Sequence, residues 1–151
     1  MGYIVRRSQV NSELPYDLLL LADENPQLVD AYLPVCQAYL LVVDEQVCGV
    51  YLLRVDGQIG EIMNIAVEPA CQGRGFGKAL LRHAVEVARQ QGLQRLIIKT
   101  GNFGIRQFAL YQQQGFDLVA VNYNYFLDAY PEPIWENGIQ CKHQLVFALS
   151  V

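Results

Sequence analysis

The sequence predicts an α/β protein of the α+β kind, with a mixed, mainly antiparallel sheet of about seven strands flanked by about four helices. Three observations lead there. Between Cys36 and Val67, apolar, β-branched runs alternate with two short turn signals, Asp44-Glu45-Gln46 and Asp56-Gly57, a pattern that folds into antiparallel hairpins. From Glu61 to Gly92 a strand-like run, a glycine-rich loop and a helical spacing follow one another. Two further apolar runs, Phe116 to Phe126 and Gln140 to Leu149, complete the sheet. A nucleotide-binding parallel sheet is disfavoured, because it needs crossover helices between strands that the hairpin-rich half lacks.

Taken in order, Tyr3 to Arg7 reads as a short first strand. Ser12-Glu13-Leu14-Pro15 is a helix start leading into the apolar helical segment Tyr16 to Ala22. Asn25 is the cap of a second helix with Pro26 at its first position, and Pro34 ends it. Cys36 to Val43 and Val47 to Val55 pair as a hairpin. Val47, Gly49, Tyr51, Leu53 and Val55 share one face, and Cys48, Val50 and Leu52 the other. Both faces are apolar, which places the hairpin centrally in the sheet. Gln58 to Val67 is the next strand, ended by Glu68-Pro69 because proline offers no amide hydrogen to a ladder. After the loop Gln72 to Lys78, apolar spacing through Arg89 is helical, and Gly92 stops it. Gln94 to Thr100 is a short strand, broken by Gly101-Asn102. Ile105 to Gln114 is a helix ending at Gly115. Tyr130 to Gly138 reads as a long loop stiffened by two prolines and carrying Glu132, Trp135 and Glu136.

Length and charge narrow the function. The 151 residues suit one domain, and 52% hydrophobic residues exclude disorder of the body. A formal net charge of −4 with no basic run argues against nucleic-acid binding. No apolar run reaches membrane-spanning length and no secretory core follows Met1, so a cytoplasmic location is expected. The four cysteines form no Cys-x-x-Cys pair and only two histidines could join them, so no metal is expected.

The glycine loop carries the sharpest signal. A Walker loop would need glycine where Gln72 stands and a hydroxyl where Ala79 stands. A dinucleotide fingerprint from Gly73 would need glycine at Lys78. Gln72, Gly75 and Gly77 instead satisfy Arg/Gln-x-x-Gly-x-Gly/Ala, in a strand–loop–helix setting that offers unpaired amides to a phosphate. Further on, Leu110-Tyr111 is followed by Gly115-Phe116. In these paired signatures the chain resembles the GCN5-related N-acetyltransferase (GNAT) superfamily, and within it a group of bacterial acetyltransferases with mostly unassigned acceptors. The resemblance runs the length of the chain, centred on Ile62 to Phe116.

What the resemblance implies is a GNAT fold and an acetyl-CoA-dependent transfer of an acetyl group to a primary amine of a small molecule, by direct attack in a ternary complex. Coenzyme A would pair with the backbone of Ile65, Ala66 and Val67, with an amide near Ile65 facing the thioester oxygen. Its pyrophosphate would lie on Gln72, Gly73, Arg74, Gly75, Phe76, Gly77 and Lys78. Arg74 and Lys78 are equally readable as exposed cations at a helix start. The family's asparagine position is Gly104 here, so Asn102 is the substitute. Tyr111 would be the general acid for the departing thiolate, against the alternative of a core aromatic. Glu61 would be the base, working through water, or else a hairpin-edge charge. Asn64 binds acceptor or satisfies backbone at a bulge. His83 and His143 read as structural. Trp135 and Glu136 would help select a cationic acceptor, the second reading of their loop being a homodimer contact. Two functional alternatives stand beside this: a catalytically inactive acyl-CoA-binding module, and a protein or peptide N-acetyltransferase.

Overall fold

The computed structural model describes residues 2–9 and 13–151, so the Ser12 helix start lies outside the described residues. Nine strands occur among them: β1 (Ile4–Arg7), β2 (Gln37–Val43), β3 (Gln46–Asp56), β4 (Ile59–Val67), β5 (Arg95–Gly101), β6 (Asp117–Asn122), β7 (Ile134–Glu136), β8 (Ile139–Cys141) and β9 (Gln144–Ser150). Five α-helices accompany them: α1 (Tyr16–Ala22), α2 (Pro26–Tyr32), α3 (Phe76–Gln90), α4 (Ile105–Gln113) and α5 (Tyr125–Ala129). Seven strands make one sheet in the order β1-β2-β3-β4-β5-β9-β6, while β7 and β8 form a separate hairpin. Every neighbouring pair in the large sheet is antiparallel except β4 with β5. This is the predicted mixed, mainly antiparallel architecture. No described helix is long and apolar enough to cross a membrane.

The sheet is buried on both faces in its central strands. On one side α3 lays Leu80, Leu81, Ala84 and Ala88 against Leu41, Tyr51, Leu53, Leu96 and Ile98. Each fully buried leucine there contributes roughly 1.5–3 kcal/mol. α3 sits close because β3 carries Gly49 beneath it: a Cβ at that position would meet Leu80 Cδ1 at 2.9 Å. On the other side α1 and α2 bring Leu18, Leu19, Val29 and Tyr32 against Leu40, Val50, Leu52 and Ala66. Asn25 caps α2 as expected, its side-chain oxygen accepting from the amides of Gln27 and Leu28.

Two bulges re-aim side chains. Leu41 pairs with Gly49 and Val42 with Val47, so Cys48 is the extra residue in β3. At the bulge Val47 and Cys48 exchange their predicted faces, Cys48 packing with Tyr51 and Leu53 and Val47 with Val50 and Leu52, while Gly49, Tyr51, Leu53 and Val55 share one face as predicted. In β4, Leu52 pairs with Asn64 and Leu53 with Ile62, leaving Met63 as the extra residue. Ile62 therefore faces α3, while Asn64 and Ala66 face α1 and α2.

The C-terminal third differs most from expectation. The strand predicted from Phe116 to Phe126 stops at Asn122, and Tyr125–Ala129 is a short helix after Asn124 turns left-handed at φ 61. The strand predicted from Gln140 to Leu149 is two strands broken at Lys142-His143, whose amides both donate to Asn102 Oδ1 instead of to a ladder. The long loop is the β7–β8 hairpin, closed by Asn137-Gly138 with φ 55 and 73. Asn-Gly is a strong two-residue hairpin signal, and its flanks here are merely short.

Candidate active site

β4 and β5 are hydrogen-bonded partners only from Ile59↔Arg95 to Ile62↔Ile98. Past the Met63 bulge the two strands part, and Asn64 to Val67 keep their pairing with β3 alone. Their other edge faces a cleft of about 510 Å³ lined from both faces of the sheet. Gly77, Leu110 and Tyr111 line it on the α3/α4 side. Asp23, Tyr32, Tyr125, Tyr130 and Glu136 line it on the α1/α2 side. Ile65, Ala66 and Val67 border the cleft between these two groups.

The glycine loop closes the α3 end. Gly73 and Gly75 have φ of +80 and +81, a left-handed region costly to other residues, and nothing stands within 4 Å of where their Cβ atoms would be. Gly75 is the N-cap of α3, so the first amides of a fifteen-residue helix point into an uncluttered space. That space fits a phosphate or pyrophosphate. Gln72 Nε2 donates to the Val67 carbonyl at 3.3 Å and ties the loop to the end of β4. Phe76 contributes only backbone there, because its ring is buried and packs edge-on against Tyr3. Arg74 lies 4.8 Å above that ring, and Lys78 stands exposed in the first helical turn. Both remain free to meet an anion.

Tyr111 is 4% exposed on α4, edge-on to Phe147 and against Phe116. Burial raises its phenol well above the ordinary value. Glu61, with a side chain 13% exposed, is held by two cations: Arg54 Nη2 at 3.2 Å from Oε1 and Lys99 Nζ at 3.3 Å from Oε2. Asn64, 5% exposed, donates through Nδ2 to the Leu19 carbonyl at 2.9 Å and to Tyr32 Oη at 3.1 Å. Since a carbonyl only accepts, this fixes the amide's orientation, and its Oδ1 is a buried acceptor with no partner.

Other predicted residues are not brought to the cleft. Asn102 donates to the Gln140 carbonyl and accepts from Lys142 and His143 amides at 2.7 and 2.9 Å, so its whole side chain holds the β8–β9 corner. Trp135 stands 64% exposed, outside the cleft. Strand alternation is the reason: Ile134 and Glu136 face inward, and Trp135 between them faces out. His83, carried by α3, has Nδ1 2.7 Å from the Tyr51 hydroxyl, and burial lowers its pKa. His143 Nδ1 accepts from the Asn124 amide. Among the described residues no group of His, Cys, Asp or Glu is placed to hold a metal ion.

The sequence reading missed a second set. Asp23 accepts from Tyr130 at 2.6 Å and from Tyr32 at 3.0 Å, joining α1, α2 and the segment after α5 at one carboxylate. Asn25 adds a bond to the Ala129 carbonyl at 3.2 Å. Arg54 was legible: the Asp56-Gly57 turn fixes Asp56↔Ile59, and counting back pairs Arg54 with Glu61. Asp23 carried only a local turn signal, its oxygen accepting from the Asn25 amide, and nothing near it announced Tyr130, 107 residues away.

Comparison with known proteins agrees with this geometry. The Acetyltransferase (GNAT) family model matches residues 8–116. The chain belongs to the GNAT acetyltransferase family. This GNAT acetyltransferase is 45% identical over 144 residues to the uncharacterized N-acetyltransferase YvbK of Bacillus subtilis, covering 95% of the chain and 92% of that relative. A GNAT family acetyltransferase from Elizabethkingia anophelis, solved with acetyl-CoA bound, superposes with a TM-score of 0.96 at 37% identity, covering 99% of this chain and 98% of that one. A Bacillus subtilis acetyltransferase solved with CoA gives 0.92 at 40% identity, covering 99% of each chain.

The Asn102 contacts generate a test. Asn102→Ala would remove the shared acceptor of an exposed and a half-buried backbone amide at the β8–β9 corner, at a cost of about 0.5–1.5 kcal/mol per hydrogen bond lost. Urea denaturation should show that loss, while calorimetry with CoA should show affinity within about twofold of wild type. Wild-type stability combined with weakened CoA binding would return Asn102 to the cofactor site.

Proposed function

We propose that this enzyme transfers the acetyl group of acetyl-CoA to a primary amine of a small molecule, with both substrates bound at once. The observation that carries this reading is the single cleft reached from both faces of the sheet. An open glycine cradle and a buried tyrosine mark one end, and a carboxylate-rich wall marks the other. The structures solved with acetyl-CoA and CoA support the donor. Asp23, Glu24, Glu61 and Glu136 outnumber the lining cations Arg54 and Lys99 by four to two, which favours an ammonium-bearing acceptor over an anionic one.

In this reading the pyrophosphate rests on the amides of Gly73 to Gly77, with Arg74 and Lys78 adding charge. The pantetheine arm pairs with the unpaired edge of Ile65 to Val67, as an added strand would. An amide near Ile65 donates to the thioester oxygen as negative charge develops there. An alkylammonium with a pKa near ~10 must first lose a proton. Glu61 receives it through water, since each of its oxygens keeps a lone pair beyond its ion pair. Tyr111 donates to the departing thiolate. Its burial keeps the phenol protonated, so the donor form is present throughout the neutral range. Asn64 and Glu136 border the acceptor's path.

Two outcomes check the donor end. Gly75→Asn adds a side chain where the phosphate would lie, yet asparagine tolerates the left-handed conformation and no neighbour stands within 4 Å. Calorimetry should show CoA affinity falling by about tenfold or more, with the melting temperature of the free protein nearly unchanged. Unaltered affinity would move the phosphate site elsewhere. Tyr111→Phe keeps the packing against Phe116 and Phe147 and should slow turnover by about 10²-fold. Because burial raises the phenol's pKa, wild-type turnover should show no loss from tyrosine ionisation up to pH ~10. A turnover number within a factor of two of wild type would leave Tyr111 with a packing role.

A further inference from the structure

Arg54 and Lys99 converge on Glu61 from the strands either side of it, one on each carboxylate oxygen. Two cations against one carboxylate leave one positive charge. Among the described residues, Arg54 engages one of its five N–H donors in a side-chain hydrogen bond, and Lys99 reaches Glu61 alone. Their side chains are 43% and 31% exposed, and both line the cleft on the α1/α2 side. Were their role only to neutralise Glu61, one cation would suffice. Besides receiving the proton, a strand carboxylate flanked by two half-exposed cations holds their remaining donors in place.

The cleft around them is polarised. The remaining carboxylates that line it, Asp23, Glu24 and Glu136, come from the α1–α2 connection and from β7, away from the strands that carry Arg54 and Lys99. Tyr125 also lines this cleft. Along β4 the Met63 bulge sets Glu61 and Asn64 opposite Arg54 and Leu52, two residues apart on β3, a separation of about 7 Å at roughly 3.4 Å per residue. A positive floor at one end and a negative wall at the other suit a ligand carrying both charges at a distance.

We propose that Arg54 and Lys99 form an anion subsite for the acceptor, and that the acceptor is an amino acid in the broad sense, an amine linked to a carboxylate through a chain of several bonds. The inference rests on the amine-acetylating reading above and narrows it. A single net positive charge matches a carboxylate monoanion, and a guanidinium beside an ammonium supplies donors to both of its oxygens. The spacing along β4 selects against α-amino acids, whose amine and carboxylate share one carbon. It suits a carboxylate held at the floor while the amine reaches the parted edge near Asn64.

The test compares 6-aminohexanoate with hexylamine as acceptors, following thiol release from acetyl-CoA. Wild type should favour 6-aminohexanoate in kcat/KM by roughly tenfold, as a charged hydrogen bond allows. The preference should shrink as KCl rises from 50 to about 500 mM, since half-exposed charges are screened. In Arg54→Gln and in Lys99→Gln the preference should fall toward parity. Taking the ratio of the two acceptors within each variant cancels any change transmitted through Glu61. Hexanoate, which has no amine, tests the subsite without turnover. It should shift the Arg54 Nε–H resonance in a ¹H–¹⁵N spectrum of wild type, and hexylamine should not. No preference for 6-aminohexanoate, a preference that survives both variants, or no hexanoate shift overturns the proposal. If no amine releases thiol while hexanoate still shifts Arg54, the acetylation reading fails and the anion subsite stands.

Discussion

The parting of β4 from β5 is the constraint on which the rest of the molecule depends. Parallel strands normally continue their ladder until one of them ends, yet here the pairing stops after Ile62↔Ile98 while both strands run on. Met63 is the cause on the β4 side. One extra residue increases local twist and turns the following residues toward β3 alone. The unpaired edge that results would be a liability in the middle of a sheet, because backbone amides and carbonyls buried without partners are costly. It is tolerated because the cleft opens along it. In the proposed function the same edge is what receives the pantetheine, so this break in the ladder would also be the binding surface.

Around that opening the fold adds long-range polar contacts to the apolar packing of its walls. Asp23 gathers Tyr32 and Tyr130, Asn64 ties α1 and α2 to β4, and Asn102 pins the β8–β9 corner. Such contacts fix direction, which apolar surfaces do not, and an acceptor cleft needs its walls in fixed places. The unpartnered Asn64 Oδ1 shows the cost of this arrangement. Its amide nitrogen is required by Leu19 and Tyr32, and its oxygen is left buried as a consequence.

Most of the fold was legible because its signals are local. The turns at Asp44-Glu45 and after Asp56, the cap at Asn25 and the stops at Gly92 and Gly115 all act within a few residues. The glycine loop was legible for the same reason. Elements shaped by distant partners were not. Nothing near Lys142 announces that Asn102, forty residues away, will take its amide and break the last strand. The Cys48 bulge interrupted an alternation that period-two reading assumes to be unbroken. For the candidate site, motifs singled out Tyr111, Gly77 and Ile65 to Val67, which the fold brings to one cleft. Trp135 was misplaced because the β7–β8 hairpin, and hence its alternation, went unread. Arg54 lay within reach of register counting, whereas Asp23 did not.

The central claim is that residues 63–67 of β4 offer their unpaired edge to acetyl-CoA, and amide hydrogen exchange tests it most directly. Amides of this stretch that face β3 should already be protected in the free protein, and those facing the cleft should exchange quickly. Saturating acetyl-CoA should slow the cleft-facing amides, together with those of Gly73 to Gly77. Protection confined to the glycine loop, with residues 63–67 exchanging as before, would contradict the account.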